Sequence, residues 1–133
     1  MTIPSYSRTA FAIGFWVYGA ILLMATHAPA KDVQFLARAA ENGLLDPDKL
    51  LHLTAYAVLG VLAGLAYGGR WHNTSTAALW LLVLLATWGI LDEVTQPLFG
   101  RLADASDWTY DLIGSGIGLA AGLGGSRRLT RSS

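Results

Sequence analysis

Four runs of almost uninterrupted apolar residues, at 11–26, 51–67, 77–91 and 108–124, set the terms for what this chain can fold into. An α-helix rises about 1.5 Å per residue, so about 20 mostly apolar residues cross the ~30 Å hydrocarbon core of a bilayer. Each run approaches that length, and the segments between them are too short to make a separate soluble domain. Of the 133 residues, 53% are hydrophobic and 14% charged, where a soluble domain carries roughly 25% charged residues. Mean hydropathy is +0.45. These features predict an all-α fold. The expected form is an integral membrane four-helix bundle making one domain over residues 1–133, with helices near 10–27, 48–68, 76–94 and 107–124.

Punctuation residues place the helix ends. Thr26-His27-Ala28-Pro29 closes the first helix, since a proline this close to a helix end is a stop signal. Asp46-Pro47 opens the second with a hydrogen-bond acceptor followed by proline. Gly68-Gly69-Arg70 closes that helix, and Gly124-Gly125 closes the fourth. Between helices one and two, residues 32–42 (DVQFLARAAEN) set Phe35, Leu36 and Ala39 or Ala40 at helical spacing. Asp32, Arg38 and Glu41 fall elsewhere, which predicts a short amphipathic helix on the membrane surface. The first run, preceded by Arg8 and followed by Ala28-Pro29-Ala30, also fits a signal peptide with a small-residue cleavage site. A retained first helix, acting as a signal anchor, is the expectation taken here.

Several function classes drop out. With no cysteine there is no disulfide framework, no thiol catalysis and no Cys-type zinc site. The chain has no phosphate-cradling glycine loop and no basic footprint for nucleic acid.

Net charge is zero, but the charges are sorted by side. With four spans, the N-terminus, the loop at 68–76 and the C-terminus share one membrane face. That face holds Arg8, Arg70, Arg127, Arg128 and Arg131 and no acid. The opposite face holds all nine acids with Lys31, Arg38, Lys49 and Arg101. Counting Lys and Arg alone gives five against four, which by the positive-inside rule favours cytoplasmic termini and an outward acidic face.

The acidic face carries the chemistry. Lys49, His52 and Tyr56 lie on one stripe at the start of helix two, with Asp48 over His52. Asp92, Glu93 and Gln96 end helix three at offsets of three and four. Asp104, Asp107, Asp111, Gly114 and Gly118 follow a 3, 4, 3, 4 spacing, a continuous seam just after Arg101. Topology puts the start of helix two, the end of helix three and the start of helix four on the same side whatever the orientation. Beyond the polar ends, Gly60 and Gly64 continue one stripe, and Gly114, Gly118 and Gly122 another. Small residues every four positions let helices approach closely in lipid, so helices two and four are expected partners whose polar ends splay into a pocket.

Blander roles stand beside these. Lys49 can snorkel and Asp107 can cap helix four. His52 and Tyr56 can be packing residues, and Trp80, Trp88 and Trp108 interfacial anchors. Asp111 resists such a reading, because an ionisable group one turn inside an apolar helix is costly and usually paired or functional.

In order and spacing, DKLLHLTAY (residues 48–56), DEVTQ (92–96) and RLADASDWTYDLIG (101–114) resemble the VanZ-like family. The match covers three of the four helices. At Asp111 the family often has Asn. The resemblance implies a small helical protein of the bacterial inner membrane. The family's founding member is tied to low-level resistance to the glycopeptide teicoplanin, a link that does not transfer to every member.

Three functional classes follow. In the first, the pocket opens at the outer headgroup level and binds or modifies an envelope lipid or lipid-linked cell-wall component. His52 would then be general acid or base, Asp48 or Asp92 its orienter, and Lys49 or Arg101 an anion clamp. Tyr56, Gln96, Arg101, Asp104, Asp107 and Asp111 would line the binding site. A variant holds Mg²⁺ or Ca²⁺ on Asp92, Glu93, Asp107 and Asp111, because hard cations prefer carboxylates. In the second class the buried acids and His52 relay protons or ions, a job that four short helices perform only as a homo-oligomer. In the third the polar network only fixes helix packing in a scaffold.

Overall fold

The computed structural model describes residues 5–28, 47–70 and 74–131. Four helices account for most of them: α1 (Ser5–Thr26), α2 (Pro47–Tyr67), α3 (Thr74–Thr95) and α4 (Ala105–Arg131). Short 3-10 turns follow α2 at Gly68–Arg70 and α3 at Gln96–Phe99, and no strand occurs among the described residues. The expected amphipathic helix at 32–42 lies outside the described residues.

The expected ends hold to within about two residues at most termini, the usual uncertainty of a helix boundary. Two ends differ. Helix α1 begins at Ser5, earlier than its apolar run. Helix α4 runs through Gly124-Gly125 to Arg131 instead of stopping there. Glycine in a helix interior costs only ~1 kcal/mol and does not end a helix that is otherwise packed. Here Ser126 is buried and its hydroxyl donates to the Leu123 carbonyl at 2.9 Å.

Three segments are long and apolar enough to cross a membrane: Ser7–Thr26, Asp48–Tyr67 and Thr74–Phe99. Helix α4 is not among them despite its 27 residues. Glycines and Ser115 dilute its apolar stretch, and Asp107 and Asp111 sit in its first two turns.

Burial is inverted relative to a water-soluble protein, where charged side chains face out and large apolar ones face in. His52, Asp92, Glu93, Asp107 and Asp111 are all buried, Asp92 completely. Met24 is 76% exposed, Ile117 61% and Leu79 60%. The outer surface of α1, α3 and α4 is thus an aliphatic and tryptophan belt suited to hydrocarbon contact.

The most extensive helix contact is between α2 and α4. It is parallel, because partners advance together along both helices: Leu53 meets Gly114, Ala57 meets Gly118, and Val61 meets Gly122. The approach is backbone to backbone. A Cβ added at Gly60 would lie 2.6 Å from the Ser115 carbonyl oxygen, and one at Gly64 would lie 2.7 Å from the Leu123 amide nitrogen. From the other side, a Cβ at Gly114, Gly118 or Gly122 would overlap the carbonyl oxygens of Leu53, Ala57 and Val61. Helix α1 packs on α2 with Gly14 against Leu62, while Gly19 faces the Trp88 ring of α3 and, beyond it, Leu59. The Tyr18 hydroxyl donates to the Ala55 carbonyl at 3.2 Å. Helix α3 closes against α4, where the Trp108 indole N–H donates to the Ala86 carbonyl at 3.2 Å.

Candidate functional site

One end of the bundle gathers the C-terminal ends of α1 and α3 and the N-terminal ends of α2 and α4. Two linked polar clusters form there. In the first, His52 Nδ1 lies 2.8 Å from Asp111 Oδ1, and His52 Nε2 lies 3.9 Å from Asp107 Oδ2. Sequence reasoning named Asp48 or Asp92 as the orienter of His52, and the hydrogen-bonding carboxylate is instead Asp111. The reason is the glycine seam: α2 and α4 come close enough at Leu53 and Gly114 to bring His52 level with Asp111, one turn nearer the end.

The second cluster centres on Asp92. The Thr26 hydroxyl donates to Asp92 Oδ1 at 2.6 Å, and the Tyr56 hydroxyl donates to Oδ2 at 3.2 Å. His27 Nδ1 stands 3.5 Å from Oδ1, and His27 Nε2 stands 2.8 Å from Thr95 Oγ1. Thr26, His27 and Thr95 did not figure among the candidate residues. The available signal was polar Thr26-His27 at the end of the first run, which topology assigns to the same side as the acids.

Glu93 bridges the clusters to the connection after α3. Its Oε1 accepts from Gln96 Nε2 at 3.1 Å and its Oε2 from the Asp104 backbone N–H at 3.0 Å. Gly100, at φ 75, supplies the left-handed residue that ends the 3-10 turn and lets the chain double back toward α4. Asp104 is exposed, and its Oδ1 accepts from the Ser106 backbone N–H at 2.7 Å. It is therefore the N-cap of α4, a role sequence reasoning offered to Asp107. That backbone hydrogen bond is the main influence holding the Asp104 carboxyl below the usual range, with Lys49 and His52 adding to it. Asp107 lies inside the first turn, buried and facing α2.

At the rim, Arg101 Nη2 lies 3.8 Å from Asp48 Oδ2, with the Asp48 side chain 46% exposed and that of Arg101 17%. Lys49 is half-buried beside them. The helix ends do not splay around His52, which packs directly against Asp111. The open part of the site is the Asp48, Lys49 and Arg101 rim above it.

Two sets of three side chains bring ligand atoms within 4.8 Å of one another: Asp48, His52 and Asp107, and His52, Glu93 and Asp111. The expected all-carboxylate set of Asp92, Glu93, Asp107 and Asp111 is not grouped this way among the described residues. Asp92 turns toward α1 and Tyr56, its oxygens accepting from Thr26 and Tyr56.

Chemically, the arrangement offers an imidazole held by a buried carboxylate under a cationic rim. An imidazole so held can transfer protons, and the rim can meet an anion. Comparison with known proteins finds no matching family model, no matching curated protein and no matching solved structure.

Proposed function

We propose that this chain is a VanZ-like multi-pass protein of the bacterial inner membrane, with cytoplasmic termini, that binds or modifies an envelope lipid or lipid-linked cell-wall amphiphile. The observation that carries this reading is the pairing of two surfaces on one bundle. An aliphatic belt is exposed along α1, α3 and α4, while Arg101, Lys49 and Asp48 crown a buried His52–Asp111 pair at one end only. An amphiphile fits such a boundary: its chains lie along the belt and its anionic head meets the rim. In an enzymatic version, His52 transfers the proton, Asp111 orients it, and Arg101 with Lys49 steadies the anion. The resemblance of residues 48–56, 92–96 and 101–114 to the VanZ-like family supports the same membrane and the same end of the bundle.

A scaffold is favoured by a different observation. Both oxygens of Asp92 and both of Glu93 are already occupied by protein donors, as expected of a network that fixes packing. Native mass spectrometry of the detergent-purified protein separates the two readings. A co-purified lipid or lipid phosphate that is lost in Arg101→Ala/Lys49→Ala, with the helical signal unchanged, supports ligand binding. A protein free of lipid, whose melting temperature falls in His52→Ala and does not respond to added lipid phosphates, supports the scaffold.

A further inference from the structure

We infer that His52, Glu93 and Asp111 form a divalent-cation site, with one ligand from each of α2, α3 and α4. Ligand atoms of the three side chains lie within 4.8 Å of one another, and all three residues are buried. Closeness of acids alone would not be enough. A second, independent observation is Asp111 Oδ2, a buried carboxylate oxygen with no hydrogen-bond partner in a residue only 1% exposed. A buried acceptor left unsatisfied is expensive, and a native site normally fills that need with a donor, a water or an ion.

The surroundings are those of supported ligands. Ligating carboxylates and imidazoles are usually held by outer hydrogen bonds that fix their orientation. Glu93 is held in this way by Gln96 Nε2 and the Asp104 N–H. His52 Nδ1 and Asp111 Oδ1 share a hydrogen bond at 2.8 Å, whose proton an ion bound at Nδ1 would displace, and Oδ2 is the carboxylate oxygen left open to that ion. There is also a way in. Asp48, His52 and Asp107 make a second group sharing His52, and its outermost member Asp48 is exposed. An ion can therefore shed water stepwise from the rim to the buried trio.

The donor set selects the metal. One imidazole with two carboxylates suits Mn²⁺ or Zn²⁺ better than Mg²⁺ or Ca²⁺, which take oxygen ligands. The site rests on protein atoms alone and holds whether or not an amphiphile binds. If the ligand proposed above carries a phosphate, the ion would sit beneath it.

The test uses metal alone. Purified protein is stripped with a chelator, loaded with Mn²⁺, Zn²⁺, Mg²⁺ or Ca²⁺ in turn, and assayed for bound metal after gel filtration. About one Mn²⁺ or Zn²⁺ per chain is expected, with affinity at least about tenfold lower in Asp111→Asn and in Glu93→Gln. Thr109→Ala, at an exposed position of α4 outside both clusters, should bind as wild type does. Asp111→Asn keeps an acceptor for His52, so its fold is expected to persist. Should either variant fail to fold, pulsed electron paramagnetic resonance on Mn²⁺-loaded wild type reads histidine nitrogen coupling directly. No stoichiometric uptake by folded wild type, uptake unchanged in both variants, or Mn²⁺ without nitrogen coupling would each overturn the site. Any of these results leaves the amphiphile reading to its own lipid measurement.

Discussion

The two ends of the α2–α4 contact are built on opposite principles. Away from the polar end, Gly60, Gly64, Gly118 and Gly122 remove side chains so that two backbones touch. At the polar end, His52, Asp107 and Asp111 fill the same interface with ionisable groups. In lipid there is no hydrophobic drive between helices, so close packing and interhelical hydrogen bonds must hold them. The glycine end supplies packing and fixes register. The polar end inherits that register and uses it to set His52 against Asp111. Close approach at one end is thus the condition for the His52–Asp111 pairing at the other.

The largest expected effect comes from breaking the glycine end. Gly118→Leu should abolish a monodisperse folded species in detergent. Gly118→Ala should destabilise by about 1–3 kcal/mol, the usual range for overpacking, because its Cβ meets the Ala57 carbonyl. Both are read by thermal unfolding. If Gly118→Ala instead also shifts the His52–Asp111 pair, seen as a changed imidazole resonance, then register is the link between the two ends.

Next comes the polar end itself. His52→Ala should cost about 3–5 kcal/mol, because it leaves Asp111 buried without its partner, whereas Asp111→Asn should cost less by keeping an acceptor. Similar costs for His52→Ala and for Thr109→Ala, an exposed site on the same turn as Asp107, would show that the pair contributes nothing to stability.

How much of this was legible in the sequence follows from the same contrast. Helix existence could be read from apolar run length, and the shared side of His52, Asp92, Glu93 and Asp107 from topology. Gly60, Gly64 and the 114–118–122 series announced which helices would touch. Pairing could not be read, because it depends on rotation and register. Asp111, not Asp48 or Asp92, takes His52 only because Leu53 meets Gly114. Thr26 reaches Asp92 because α1 also comes close to α3, where Gly19 faces the Trp88 ring one turn before Asp92. The extent of α4 was misjudged at Gly124-Gly125 because glycine's local preference yielded to packing against α2.

Smaller effects sharpen the picture. Asp104→Ala should lower the melting temperature modestly at neutral pH by removing the α4 cap. The Asp104 carboxyl titrates below its ordinary range, so its ionised form contributes stability above the unfolded value of about 3.9. That contribution is lost as pH falls through the lower folded value. The gap between wild type and Asp104→Ala should therefore narrow in acid, and a gap that widened would contradict the capping role. Smallest of all is Gly116→Ala, where a Cβ meets nothing, and a gain of up to ~1 kcal/mol is expected from helix propensity.

The absence of cysteine makes one measurement especially direct. Leu102→Cys, Ser75→Cys and Ile117→Cys place single thiols at the polar end, at the opposite end and in the belt of α4. Intact bacterial cells are then treated with a membrane-impermeant maleimide before and after permeabilisation. A chain embedded with its polar end outward predicts labelling of Leu102→Cys in intact cells and of Ser75→Cys only after permeabilisation. It predicts no labelling of Ile117→Cys in either state, although that position is 61% exposed on the protein. Ready labelling of Ile117→Cys would contradict a lipid-facing α4, and exchange of the other two results would contradict an outward polar end.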